Sequence, residues 1–293
     1  MISPLIPHPS SFHLGLIGYP LSHSLSPTIH AAALKACNLQ GDYSLFPIAP
    51  DDKQGLKDLL ARLRTGELHG LNVTIPHKQN VIEFLDELTP TAKAIGAVNT
   101  IYLKESKLIG DNTDAAGFLT DLRKFLAESP SPFGRGAGVR EKSAIVLGAG
   151  GSARAVVYAL LNDGWNVTIS ARRIEQAQEL AISFPNYQLP ITNYANLQSL
   201  VSNLSLLVNT TPLGMTPNID ESPLPENLSL PSNAFIYDLV YNPRETKLVR
   251  EARQQGLRAA TGLGMLIEQA ALSFELWTGC IPSREILHQS VES

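Results

Sequence analysis

Cysteine is scarce in this chain, with two among 293 residues, Cys37 and Cys280. So few, set so far apart, they argue against a disulfide framework or a zinc site, and a reducing, cytoplasmic setting is the expectation. Long apolar runs are missing too. No stretch approaches the ~20 apolar residues of a membrane-spanning helix, and Met1–His13 has neither the basic start nor the apolar core of a signal peptide. With three prolines and little apolar surface to offset its ordering entropy, residues 1–13 read as a flexible tail. The formal net charge is −4 and lysine and arginine form no block, so neither nucleic acid nor an acidic membrane surface is expected as a partner. His23, His30, His69 and His77 stand at no metal-ligand spacing, and no metal is expected.

What is present is a strand, a turn, a helix and a second strand between Ala144 and Arg173. Ala144-Ile145-Val146-Leu147 is an apolar run suited to a strand buried on both faces, and Gly148-Ala149-Gly150-Gly151-Ser152-Ala153 follows at once. The first glycine permits a tight turn, Gly150 lets the backbone approach a pyrophosphate, and Ala153 is small enough for close helix–strand packing. Val156, Val157, Leu160 and Leu161 give one apolar face to a helix over about Ser152–Asn162, whose first N–H groups favour a phosphate. A second strand, Asn166–Ser170, ends roughly twenty residues after the turn, where an NAD site carries a carboxylate for the ribose. Here the tip reads Ser170-Ala171-Arg172-Arg173, with no carboxylate and two guanidiniums for a 2′-phosphate, which favours NADP over NAD. The two arginines also fit a solvated start to the next helix. No Gly-Lys-Ser/Thr follows the glycines, which argues against a P-loop.

Upstream, strand and helix patterns alternate without a glycine-rich turn, which predicts an α/β domain with another duty. Leu14–Gly18, Asp42–Ile48 and His69–Thr74 read as strands; Ser26 as N-cap with Pro27 opens a helix to about Asn38. Asp51 or Asp52 caps a helix to Arg64, His77–Leu88 reads as the next, and a short one runs from Thr89-Pro90 to near Gly96. Val98–Leu103 and Lys107–Gly110 read as a hairpin, and Thr113-Asp114 starts a helix ending near Glu128, ahead of an exposed linker, Ser129–Lys142. Beyond Arg173, helices are expected to about Phe184, near Asn196–Val201 and over Glu245–Gln255, with strands at Leu204–Asn209 and Phe235–Val240. Gly262–Met265 leads into a long helix reaching Trp277.

Four polar clusters stand at element ends in the first half: Ser22 to Ser26, Asn72 to Lys78, Asn99-Thr100 and Asp111 to Asp114. Hydroxyls and amides on strand ends suit a polyhydroxylated small molecule, and a serine pair suits its carboxylate. Ser26, Thr89 and Thr113 equally fit helix caps.

Six motifs, in order and spacing, resemble those of the shikimate dehydrogenase family: Ser22 to Pro27, Asn72 to Lys78, Ala97 to Thr100, Gly110 to Asp114, Gly148 to Ala153 and Gly262 to Leu266, a likeness covering essentially residues 14–288. The resemblance implies a two-domain α/β fold: a substrate domain over 14–114 completed by a C-terminal helix from about 264–293, and a Rossmann-like parallel sheet for NADP over 115–263. It implies Ser24 and Ser26 on the substrate carboxylate, Thr74, Asn99 and Gln269 on ring hydroxyls, Tyr241 near substrate and nicotinamide, and Lys78 with Asp114 as the catalytic pair, Asp114 also touching substrate. Gly148, Ala149, Gly150, Gly151 and Ser152 would hold the pyrophosphate, Arg172 the 2′-phosphate with Arg173 beside it, and Leu239 and Gly262 the nicotinamide. At the phosphate tip the family's Asn-Arg-Thr is replaced by Ala171-Arg172-Arg173, and Gln176 stands for a later arginine.

The implied reaction is the NADP-dependent reduction of 3-dehydroshikimate to shikimate, reversible and part of aromatic amino acid biosynthesis, by a monomer or homodimer. The alternatives are a quinate/shikimate dehydrogenase using NAD, and a non-catalytic NADP-binding regulator, against which Lys78 and Asp114 argue. Moving a hydride to or from a secondary alcohol requires a group that handles the hydroxyl proton. A lysine, with an ordinary pKa of about 10.4, is a donor that stabilises developing alkoxide charge.

Overall fold

The computed structural model describes residues 9–128, 142–225 and 228–292. Residues 1–8 of the expected tail and 129–141 of the expected linker lie outside them. The chain groups into two compact units, one of Met1–Thr89, Val98–Thr113 and Ala270–Ser293, the other of Pro90–Ala97 and Asp114–Gln269.

In the first unit β1 (Phe12–Gly18), α1 (Ser26–Ala36), β2 (Gly41–Pro47), α2 (Lys53–Arg64), β3 (Gly70–Val73) and the single-turn α3 (His77–Asn80) follow in order. A 3₁₀ turn (Val81–Phe84), β4 (Glu87–Leu88), β5 (Thr100–Lys104) and β6 (Lys107–Asp111) complete one mixed sheet of order β2-β1-β3-β5-β6-β4. β1 runs parallel to β2 and β3, while β5 is antiparallel to β3 and β6. β3 is buried throughout and β1 from Leu14 to Gly18, and α2 lays Leu56, Leu59, Leu60 and Leu63 on one buried face. Asp52 caps α2 by accepting from Gly55 N–H at 2.8 Å.

The second unit holds α4 (Pro90–Ile95), α5 (Asp114–Ala127), β7 (Ser143–Leu147), α6 (Gly151–Asn162), β8 (Asn166–Ser170) and α7 (Ile174–Ile182). It continues through β9 (Ile191–Thr192), two 3₁₀ turns, β10 (Leu206–Asn209), β11 (Phe235–Asp238), α8 (Lys247–Gln254) and β12 (Arg258–Thr261). The sheet order is β12-β11-β10-β7-β8-β9, with every neighbouring pair parallel. That is the doubly wound dinucleotide order, and its strand order reverses between β7 and β10. α9 (Leu263–Thr278) gives residues up to Gln269 to this unit and the rest to the first, to which α10 (Arg284–Glu292) also belongs. No helix among the described residues is long and apolar enough to cross a membrane.

Several expectations are corrected. Phe12 and His13, counted with the tail, open β1, because Phe12 N–H donates to Gln40 O at 2.8 Å and joins the ladder to β2. Ser26 is the first helical residue of α1 rather than its cap, and the residue at the cap position, Leu25, has no side-chain oxygen to accept there. The helix expected over His77–Leu88 stops at Asn80, and Asp86 N–H pairs with Leu108 O at 3.0 Å, which draws the following residues into a strand beside β6. Near Asn196–Val201 the chain forms 3₁₀ turns, and α8 begins at Lys247 because the Thr246 hydroxyl caps it through Val249 N–H. The two cysteines are bonded to each other: Cys37 ends α1, Cys280 follows α9, and their Cα atoms lie 6.3 Å apart although 243 residues separate them in sequence. Distance along the chain is therefore no guide to their pairing, because α10 returns to pack on α1 within the same unit.

Candidate active site

At the reversal point, the end of β7 meets the end of β10. Gly148 has φ +111°, a backbone region that favours glycine, and a Cβ there would lie 2.6 Å from Thr210 Oγ1. Thr210 is fixed in turn by its own N–H and hydroxyl, both donated to Leu147 O. Gly150 differs: its φ is −81° and a Cβ would meet nothing within 4 Å. The protein itself does not require glycine there, so the bare backbone leaves open space at the start of α6, a helix end with no side-chain cap. A glycine-lined space at a helix N-terminus fits a pyrophosphate. Ala149, Gly151 and Ser152 complete this turn, with Gly151 opening α6.

At the β8 tip, Ser170 is buried and Ala171 packs into the apolar core, its N–H on Thr192 O at 3.1 Å. Arg172 and Arg173 are exposed and precede α7, whose first residue is Ile174, with Arg173 at the cap position. Tyr194 is a neighbour the sequence did not point to. Burial raises its hydroxyl pKa above the ordinary value, and the positive charge of Arg172 opposes that rise.

Leu239 and Gly262 meet closely: a Cβ on Gly262 would lie 2.1 Å from Leu239 O. Tyr241 is half-buried in the loop that follows β11. Beneath these loops runs a buried network that sequence reading missed. Asn209 Nδ2 donates to Asp238 Oδ1 at 2.8 Å, and Asn209 Oδ1 accepts from the Thr211 N–H and hydroxyl. Asp238 also accepts from Val240 N–H at 3.1 Å and from the Thr246 hydroxyl at 2.7 Å. Burial pushes the Asp238 carboxyl up to about 6, against these three donors. The available signal was a polar residue ending each of two otherwise apolar strands.

In the first unit, the polar clusters gather at the ends of β1, β3, β5 and β6. Thr74 N–H donates to Ile17 O and Thr74 O accepts from His77 N–H, which sets the turn into α3. Lys78, half-buried in α3, accepts at its carbonyl from Val98 N–H at 2.7 Å, while Val73 N–H donates to Asn99 O at 2.8 Å. The lysine and Asn99 are thus tied to one another through backbone. His77 anchors the same turn, buried, with Nε2 on Ile48 O at 2.7 Å. Asn99 is held by Thr113, which donates from its N–H to Oδ1 at 2.7 Å and accepts at its hydroxyl from Nδ2 at 2.9 Å. Thr113 and Asn72 both reach Ser273 Oγ at 3.0 Å, so these amides are preoriented rather than loose. Ser24 Oγ accepts from Ser26 N–H at 3.3 Å, bringing the serine pair together.

Asp114 and Gln269 belong to the second unit, and both are buried. Asp114 is the first residue of α5, and Gln269 Nε2 donates to Leu266 O at 2.7 Å. Among the described residues no group of three or more histidine, cysteine, aspartate or glutamate side chains is arranged to hold a metal ion.

Residues 16–101 match the shikimate dehydrogenase substrate binding domain, 134–254 the shikimate / quinate 5-dehydrogenase domain, and 262–292 the shikimate 5'-dehydrogenase C-terminal domain. The chain belongs to the shikimate dehydrogenase family. A curated relative from Carboxydothermus hydrogenoformans, named shikimate dehydrogenase (NADP(+)), is 40% identical over 280 residues, covering 94% of this chain and 95% of its own. A crystal structure of a shikimate dehydrogenase in complex with NADP+ has TM-score 0.84 at 35% identity, covering 96% of this chain and 95% of that one. The shikimate 5-dehydrogenase of Thermus thermophilus in complex with NADP(H) and shikimate has TM-score 0.81 at 36% identity, covering 96% and 98%.

Within the shikimate dehydrogenase family, this chain's departure at the phosphate tip has a structural counterpart. Ala171 is part of the apolar core and offers no side chain to a ligand, which leaves Arg172 and Arg173 as the exposed cations at that strand end.

Proposed function

We infer that this NADP-dependent shikimate dehydrogenase interconverts 3-dehydroshikimate and shikimate with Lys78 and Asp114 handling the proton. The observation that carries the cofactor half is the β8 tip, where two exposed arginines stand and no carboxylate does. NADP, when bound, supplies or accepts hydride at the nicotinamide C4. Gly148 to Ser152 would hold its pyrophosphate, Arg172 with Arg173 its 2′-phosphate, and Leu239 and Gly262 the nicotinamide side.

Ser24 and Ser26 hold the substrate carboxylate; Thr74, Asn99 and Gln269 orient ring hydroxyls, and Tyr241 stands beside the substrate. Lys78 donates to the oxygen that changes between carbonyl and hydroxyl, where its charge counts most as alkoxide character develops. Asp114 orients that ammonium and shares the proton. A net charge of −4 without a basic block supports a small-molecule enzyme rather than a nucleic-acid or membrane binder.

Initial rates on shikimate and quinate, each with NADP and NAD, test the reading. Shikimate with NADP is expected to be the fastest pair; quinate with NAD in that place would overturn it. Lys78→Ala is expected to lose far more in kcat than in substrate affinity, and an unchanged kcat with only a raised KM would remove Lys78 from the chemistry. Arg172→Ala is expected to raise the KM for NADP by about one to two orders of magnitude and leave NAD kinetics alone. An unaltered NADP-to-NAD preference in that variant would put the 2′-phosphate elsewhere.

A further inference from the structure

The start of α9 is pinned from outside its own sequence, by a half-buried carboxylate on α5. Asp121 Oδ2 accepts from the Tyr237 hydroxyl at 2.5 Å, and Tyr237 is fully buried in β11. Met265, in the first turn of α9, belongs to the same buried apolar cluster as Tyr237. The carboxylate also presses on the helix itself: a Cβ on Gly264 would lie 2.0 Å from Asp121 Oδ1 and 2.3 Å from its Cγ. One turn back along α5 the contact is reciprocated, since a Cβ on Gly117 would lie 2.8 Å from Gln269 N and 2.9 Å from its Cβ. A negative charge at a helix N-terminus is favourable, and two glycines bring the helices to a spacing that a single methyl group would open.

We propose that Asp121 is a positioning residue that sets the register of α5 against the start of α9, and so the placement of Asp114, Gly262 and Gln269 relative to one another. Asp114 opens α5, with Gly117 and Asp121 at three and seven residues beyond it on the same helical face. Gly262 and Gln269 flank Gly264 at the other side of the contact. The importance of this register for turnover rests on the roles assigned above to Asp114, Gly262 and Gln269. Tyr237 itself is fixed by edge-on packing against Phe118, ring centroids 5.2 Å apart, so its hydroxyl has little freedom to seek another partner.

The test compares Tyr237→Phe, Asp121→Asn and Asp121→Ala with the wild-type enzyme, and with Leu180→Ala, a buried position on α7, as a control for lost stability. Amide hydrogen exchange is expected to accelerate at Gly262–Gln269 in Tyr237→Phe and Asp121→Ala and to stay at the wild-type rate there in Leu180→Ala. With NADP and shikimate, both variants are expected to lose on the order of tenfold to a hundredfold in kcat/KM for shikimate, the scale of a small misplacement of reacting groups. Affinity for NADP, set at the glycine turn and Arg172, is expected to stay within about twofold, with Asp121→Asn closer to wild type than Asp121→Ala. Unchanged exchange at Gly262–Gln269 overturns the proposal, as does accelerated exchange with wild-type kinetics, or the same kinetic loss in Leu180→Ala. A wild-type enzyme that does not turn over shikimate would instead sink the functional reading, while the exchange arm still decides whether Asp121 holds the helix.

Discussion

Buried ionisable side chains give this protein two opposed responses to acid. His30 is fully buried, stacked on Tyr43 with ring centroids 4.2 Å apart and flanked by Phe274 and Trp277. Burial lowers its pKa to about 3, with the nearby Asn72 side chain opposing the shift, and neither ring nitrogen has a partner in good hydrogen-bond geometry. The unfolded chain takes up that proton near pH 6.5 and the folded one does not, so this contribution to stability is complete above pH 6.5 and is lost as pH falls towards 3. Asp238, raised to about 6 from 3.8, works the other way: the folded state holds its proton more tightly, so stability is gained as pH falls from 6 to 4. At about 1.4 kcal/mol per pKa unit the histidine has the larger effect, roughly 5 against 3 kcal/mol over the full span of each shift. His30→Phe is expected to remove this histidine's acid-dependent loss, so that denaturant midpoints measured from pH 7.5 to 4 fall less than in wild type. Asp238→Asn is expected to fall more steeply than wild type over the same range. Parallel profiles in all three proteins would refute the assignment. Neither response was readable from sequence, because a lone histidine or aspartate declares its protonation only through the packing around it.

Elements defined by short-range rules were legible, and those made by distant partners were not. The β7–turn–α6–β8 unit follows its sequence closely, because an apolar run, a glycine turn and an amphipathic helix each specify themselves within a few residues. β4, β9 and β12 escaped: two are two-residue strands, and Arg258–Thr261 has no apolar alternation and exists through its pairing with β11. Of the proposed site, the glycine turn, the arginine tip, Lys78 and Asp114 stand out as motifs, whereas the contacts of Asn209, Asp238, His77 and Tyr194 are made with partners far along the chain. The glycines yield a sharp contrast. Gly150→Ala is expected to melt at the wild-type temperature, since its methyl group enters open space, yet to weaken NADP binding if the pyrophosphate lies there as proposed. Gly262→Ala drives a methyl group into Leu239 O and is expected to cost about 1–3 kcal/mol of stability and to impair turnover. Thermal melts with and without NADP check both, and the pair would be misread if Gly150→Ala lost stability without the cofactor.

For the whole molecule, the Cys37–Cys280 bond replaces the expectation of two isolated thiols. A crosslink closing so long a loop stabilises by about 2–5 kcal/mol, mostly by restricting the unfolded chain. Cys280→Ser, or wild type in a strong dithiol reductant, is therefore expected to melt several degrees lower, with no further effect of reductant on the variant. Equal melting with and without reductant would show the bond to be energetically idle. The same unit carries a constraint on how the protein is made. The chain passes between its two units after Thr89, Ala97, Thr113 and Gln269, and the first unit needs Ala270–Ser293. Chains usually mature in the order in which the ribosome releases them. Here the order is inverted: the nucleotide-binding half has its last residue while the half that begins the chain still lacks the end of α9, α10 and Cys280. The Cys37 thiol has to wait, unpaired, until Cys280 emerges 243 residues later.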